Sequence, residues 1–158
     1  MAFDTNDVLA MLRAGKDCIG AAYARRNFAS LDLIINAKDV PIRDILASTT
    51  VANFERPEVK DFRQGQIVKT SHVGTGLMLI RTAMLRQLAT DEKVRPYTAH
   101  NAGRAHNFFQ FNFEAEGSVG EDYHFCGLIR SAGYDVWLYV TDRVRHFGEH
   151  AFQLAIPR

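Results

Sequence analysis

Between Gly120 and Val140 the chain specifies a helix and then a strand in close succession, and that pair constrains the fold more than any other stretch. Gly120 frees the backbone to turn, and Glu121 and Asp122 then fall in the first helical turn, where the helix dipole favours negative charge. Tyr123, Phe125, Leu128 and Ile129 follow with a mixed helical spacing, and Ser131-Ala132-Gly133 stops the helix at its glycine. Asp135-Val136-Trp137-Leu138-Tyr139-Val140 is rich in β-formers and reads as a strand.

The rest of the chain repeats this alternation. Asp4-Thr5-Asn6-Asp7 supplies capping side chains for a helix over residues 7–14, with Val8, Leu9, Met11 and Leu12 facing inward and Gly15 just past its end. Residues 18–23 are short and apolar, as in a buried strand, although a helical fragment fits the same pattern. Two short helices are expected over residues 31–35 and 42–46, the second entered through Pro41. Residues 59–62 and 66–71 suit a hairpin across Arg63-Gln64-Gly65. An apolar strand is expected over 76–80 and a helix capped by Thr82 over 82–88. Residues 91–107 are polar, aperiodic and carry Pro96 and Gly103, which predicts a long surface loop. Phe109, Phe111 and Phe113 alternate along a strand over 107–113 and read as a core stripe.

Helices interleaved with apolar strands predict an α/β domain, a mixed sheet flanked by helices. At 158 residues the chain fits a single domain with a real core. A formal net charge of +1 gives no bulk attraction to nucleic acid or acidic membranes. Arg25-Arg26 and the Arg143, Arg145 pair read as solvated faces. No apolar run reaches the roughly 20 residues of a membrane span, and the N-terminus lacks the pattern of a signal peptide. Cys18 and Cys126 sit in apolar company, which suggests buried thiols in a reducing compartment and a cytoplasmic location.

In α/β sheets, ligands bind beyond the carboxyl ends of the strands. Three segments are expected to converge there: His72-Val73-Gly74-Thr75-Gly76, Gly120-Glu121-Asp122 and His146-Phe147-Gly148. Spacing alone leaves each group two readings. Glu121 and Asp122 are either chemical groups or ordinary first-turn acids. His146 is either a ligand or a histidine closing a strand, and Gly74 and Gly76 admit either a bound molecule or a tight turn. Trp137, at mid-strand, reads first as core and second as a platform for a sugar ring.

Taken in order, His72-Val-Gly-Thr-Gly-Leu-Met-Leu-Ile-Arg81, Asn107-Phe-Phe-Gln-Phe111, Gly120-Glu-Asp-Tyr-His-Phe-Cys126, Ala132-Gly-Tyr-Asp-Val-Trp137 and Val144-Arg-His-Phe-Gly148 resemble the C-terminal half of a GT-A-type glycosyltransferase. The likeness is nearest to the family 2-like and Anp1-like proteins of bacteria and phages. Phe3-Asp4-Thr-Asn-Asp7-Val-Leu and Gly15-Lys-Asp-Cys-Ile-Gly-Ala-Ala-Tyr23 resemble the stretch that follows the family's Asp-x-Asp motif. The resemblance implies that residues 1–158 form a single, partial GT-A-like domain without the nucleotide-binding half that carries Asp-x-Asp. It implies sugar transfer from a nucleotide-diphosphate donor to a hydroxyl on a glycan, lipid or protein acceptor. Asp122 is then the general base, Glu121 orients it or binds the acceptor, and Gly74, Thr75, Gly76 and Trp137 lie on the substrate side. His146 completes the site of a divalent metal, Mn²⁺ or Mg²⁺, or contacts the diphosphate. Isolated from the upstream half, the chain is expected to bind nucleotide sugars poorly and to self-associate through an exposed strand edge.

Two other classes fit the same residues. One is a metal-dependent hydrolase built on Glu121, Asp122, His124, His146 and His150, with an H-x₃-H spacing but no H-E-x-x-H. The other is a non-catalytic remnant of a transferase, kept for binding a partner.

Overall fold

The structure is a computed structural model, and it describes residues 1–28, 50–52, 62–100, 103–114, 117–147 and 151–152. The two helices expected over 31–35 and 42–46 and the first strand of the hairpin expected over 59–71 lie outside the described residues, Phe62 excepted. Helix α1 is Thr5–Arg13, followed by β1, Cys18–Ala21, and β2, Ala24–Phe28. Then come β3, Thr50–Ala52, β4, Ile67–Thr70, and, after a 3₁₀ turn at Thr75–Leu77, β5, Met78–Ile80. Helix α2, Thr82–Thr90, precedes β6, Pro96–Ala99, β7, Gly103–His106, β8, Asn112–Glu114, and β9, Gly117–Val119. Helix α3, Glu121–Ser131, leads to β10, Val136–Tyr139, β11, His146–Phe147, and β12, Ala151–Phe152.

The centre is a mixed sheet in the order β4-β10-β1-β5. The two inner strands are parallel, with Ile19 opposite Trp137, and each outer strand is antiparallel to its neighbour. Alternation along the inner strands sorts side chains into two cores. Cys18, Ala22, Val136, Leu138 and Val140 face Met84 and Leu88 of α2 and Phe125, Cys126 and Ile129 of α3. Ile19, Ala21, Tyr23 and Tyr139 face Met11 of α1, with Leu77 and Val144. The protein is therefore α/β, a mixed sheet between α1 on one face and α2 with α3 on the other.

Strands β4 and β5 lie on opposite edges, so residues 71–77 must traverse the sheet to join them. They do so beneath α3. Val73, fully buried, lies directly on Gly20 of β1: a Cβ at Gly20 would stand 2.7 Å from Val73 Cγ2 and 2.9 Å from its Cβ. The Cys126 thiol donates to the Val73 carbonyl at 3.6 Å from above. Three inter-strand steps of about 4.8 Å separate the edges, within the reach of residues 71–74 together with the 3₁₀ turn at Thr75–Leu77. The crossing starts beside the amino end of β10, where Thr70 opposes Val136. It ends beside the carboxyl end of β1, where Met78 opposes Gly20.

Several elements depart from the sequence reading for identifiable reasons. Leu9 and Leu12 are 41% and 60% exposed, while Asp7 is fully buried with Met11, so α1 presents a different face from the one its leucines suggest. Gly120 has φ −61° and ψ 156°, ordinary extended backbone, and makes no special turn. Thr82 is the first helical residue of α2; the cap position is Arg81, with no side-chain hydrogen bond. Residues 91–107 hold the β6–β7 hairpin, whose exposed, polar strands carry no hydrophobic alternation to reveal them. The phenylalanine stripe also dissolves: Phe111 is 63% exposed, Phe109 packs on Phe125 at 4.4 Å between ring centroids, and the strand begins only at Asn112. By contrast α3 ends as its glycine requires. Gly133 takes φ +87°, with its N–H on Arg130 O and the Tyr134 N–H on Ile129 O, a Schellman closure.

Adding a methyl at Gly20 pushes against the short, β-branched side chain of the buried Val73, which has little freedom to move aside. Gly20→Ala is expected to destabilise the fold by about 1–3 kcal/mol, read as a lowered urea midpoint. Both thiols are buried free cysteines. Burial, then the neighbouring Cys126 and Asp17, pushes Cys18 up to about 12, and burial likewise raises Cys126. Unfolded thiols ionise near 9, so above that pH the unfolded chain releases protons that the folded one retains. Stability is therefore fully present below pH 9 and falls as pH rises towards 12. Urea midpoints from pH 8 upward check this, and Cys18→Ala is expected to flatten the slope.

Candidate functional site

The crossing delivers Thr75 to the first turn of α3. The Thr75 backbone N–H donates to Asp122 Oδ2 at 3.1 Å and its hydroxyl donates to Asp122 Oδ1 at 2.6 Å. Both carboxylate oxygens are thus held, at the short distance typical of a hydroxyl on a charged acceptor. Each oxygen accepts one of these bonds and keeps a second acceptor position. Asp122 is half-buried and leads the face of α3 that continues through Phe125, Cys126 and Ile129 into the core. Its location follows from the topology: α3 runs into β10 through the Gly133 turn, so its first turn stands at the carboxyl end of the parallel strands β1 and β10.

Gly76 explains itself at the same place. Its N–H donates to Tyr23 Oη at 3.2 Å, and a Cβ there would stand 2.7 Å from the Tyr23 ring and 2.4 Å from Met1 Cε. The close approach that this glycine permits is that of Tyr23 and Met1. Met1 leads to Ala2, which exchanges backbone hydrogen bonds with Arg145, and His146 follows in β11. A continuous series of contacts therefore joins the Gly-Thr-Gly segment, Asp122 and the backbone leading into His146. The side chain of His146, with Gly148 and His150, is outside the described residues.

The remaining candidates sit apart from this clasp. Glu121 is half-buried and has no hydrogen bond or ion pair among the described residues. Consecutive helical positions diverge by about 100°, so Glu121 and Asp122 do not face one another as a dyad. Trp137 packs on the α1 side of the sheet, and Lys16 Nζ stands 3.6 Å from the centroid of its ring. Gly74 is buried and precedes the 3₁₀ turn. Among the described residues no three His, Cys, Asp or Glu side chains are grouped to hold a metal.

A polar cluster that the sequence reading missed lies on the other face. The Asp7 carboxylate, with no solvent exposure, accepts from Tyr139 Oη at 3.0 Å, Thr141 Oγ1 at 3.1 Å and Arg143 Nε at 3.1 Å, and Arg143 closes a second bond through its terminal nitrogen. Arg143 also pairs with Asp4 at 3.5 Å. Asp7 holds the Arg143 guanidinium above its ordinary range, and burial, then Asp7, raises the Tyr139 phenol. Arg143 is solvent-exposed, at 42%, and is at the same time the structural partner of the buried Asp7. The available signal was the position of Asp7 one turn before Met11, a charge placed on the buried stripe.

Comparison of the chain with protein-family models, with curated proteins and with solved structures finds no match. No helix among the described residues is long and apolar enough to cross a membrane.

Removing the guanidinium strands a fully buried carboxylate. Arg143→Met is expected to cost about 1–3 kcal/mol, less than a fully buried ion pair, because the guanidinium is 42% exposed and Tyr139 and Thr141 still donate to Asp7. Urea unfolding at neutral pH checks it, and a loss below the error of the measurement would show that Tyr139 and Thr141 suffice.

Proposed function

We propose that this chain takes part in glycosyl transfer from a nucleotide-diphosphate sugar to an acceptor hydroxyl on a glycan, lipid or protein, with Asp122 as the general base. The observation that carries the reading is the Thr75–Asp122 clasp. It brings together the Gly-Thr-Gly and Gly-Glu-Asp segments that carry the resemblance to the GT-A glycosyltransferases, and it fixes a half-buried carboxylate beyond the carboxyl ends of two parallel strands.

In this reading an acceptor hydroxyl donates to a free acceptor position on Asp122. As its oxygen bonds to the anomeric carbon, the bond to the diphosphate breaks. The hydroxyl proton passes to Asp122, and the nucleoside diphosphate leaves with the bonding pair. Thr75 is a positioning residue: its two hydrogen bonds fix the direction in which the carboxylate presents those positions. Glu121, free of partners among the described residues, is assigned to the acceptor. Gly74, Gly76 and Trp137 keep their assignment to the substrate side by resemblance alone. A divalent metal on the donor diphosphate, with His146 among its ligands, also rests on that resemblance, and no step here is routed through it.

The test is release of nucleoside diphosphate from a panel of nucleotide sugars by the full-length gene product with Mn²⁺ and candidate acceptors. Asp122→Asn keeps shape but removes the base, and is expected to lower kcat by roughly 10²–10⁴-fold with donor affinity unchanged. Thr75→Val leaves one of the two hydrogen bonds and is expected to lower kcat by roughly 10–100-fold, with little change in KM. Near-normal turnover by Asp122→Asn would remove the catalytic basis of the reading and leave Asp122 as the latch that holds residues 71–77.

A further inference from the structure

Helix α3 has a second functional face. Asp122, Phe125, Cys126 and Ile129 point to the sheet, whereas Tyr123, His124, Gly127 and Ser131 border a cavity of about 510 Å³ on the flank of the helix. Its other walls come from His72, Asn107, Gln110 and the strap between α2 and β6. In that strap Val94 is buried in the core, and Lys93 and Arg95 on either side of it both line the cavity. Among the described residues, no aspartate or glutamate lines the cavity. Asp91 and Glu92 precede the strap but do not reach it, and Asp91 accepts from the Gln87 amide instead. Neither Lys93 nor Arg95 is ion-paired among the described residues.

Among the described residues the cavity thus gathers two cations, two imidazoles and two side-chain amides. The His72 and Tyr123 rings form part of its wall, 4.5 Å apart between centroids and 30° from parallel. An independent observation marks the floor. Gly127 lies in the interior of α3, where glycine is the least favourable residue other than proline. Neither packing nor backbone requires it: a Cβ there would meet nothing within 4 Å, and its φ is not positive. What glycine does at this position is leave the cavity open down to the helix backbone.

We propose that this cavity is a binding site for a phosphate ester, its phosphoryl group held by Lys93 and Arg95 and its organic part lying along His72 and Tyr123 over Gly127. Two cations with amide and imidazole donors suit a dianion with several acceptor oxygens. The aromatic wall distinguishes an ester from the free ion. The site does not depend on glycosyl transfer, because Asp122 does not line it.

Backbone amide shifts in the full chain, followed by NMR at constant ionic strength, test it with inorganic phosphate and with phenyl phosphate. Saturable shifts are expected on the strap and on α3, with phenyl phosphate at least threefold tighter. Lys93→Gln with Arg95→Gln, both at exposed positions, is expected to weaken both probes at least tenfold. Gly127→Leu is expected to raise the melting temperature while weakening phenyl phosphate at least tenfold, a combination that a damaged fold does not produce. Shifts reproduced by chloride, or unaltered by the double substitution, would overturn the site. Equal affinity for the two probes, or an unchanged affinity in Gly127→Leu, would overturn the assignment to an ester.

Discussion

One bare backbone position governs this fold. Gly20 lets the chain pass over β1 with Val73 seated on it, and that passage is how residues 71–77 join the two edges of the central sheet. A larger residue would lift the crossing away from the sheet, and with it the surface on which α3 rests. Cys126 is bonded to the carbonyl of Val73 and Asp122 to Thr75 farther along, so α3 is aligned by the strap beneath it as well as by the core. Steric room at one glycine thereby sets the position of a carboxylate several residues away in space.

The opposite face is secured differently. Asp7 has no exposure and is surrounded by donors from Tyr139, Thr141 and Arg143, so α1 is attached to the end of β10 by charge and hydrogen bonding as well as by Met11. Ionic pairing of this kind adds little net stability over an apolar core, but it is costly to leave half-made. It defines the angle at which the chain leaves β10, and the Ala2–Arg145 bridge continues that definition to the amino terminus. The two devices meet near Met1, which packs on Gly76.

The sequence revealed what local periodicity controls. The apolar runs at Cys18–Ala21 and Val136–Tyr139 are strands, and α3 stops at Gly133 because the Schellman turn needs a positive φ there. Local patterns failed where tertiary contacts decide. Leu9 and Leu12 of α1 are the more hydrophobic positions, yet Asp7 takes the interior because its partners arrive from residues 139–143. The hairpin β6–β7 carries no inward face to announce it. Of the site, the acidic pair and the Gly-Thr-Gly segment were legible as residues, and their convergence as an expectation of topology. The specific pairing of Thr75 with Asp122 was not, because nothing in either segment encodes the path over Gly20. The flank cavity went unseen because its cations lie in a stretch that read as loop.

The parallel pairing of β1 with β10 also orders events in time. Ile19 must find Trp137, and about three quarters of the chain lies between them. Long-range pairing of this kind is slow, since the closure entropy is lost before any contact compensates it. During synthesis Cys18–Ala21 emerges before Val136–Tyr139 and lacks this partner until the later segment has been made. Until then the chain exposes a segment whose four residues are all buried in the folded protein.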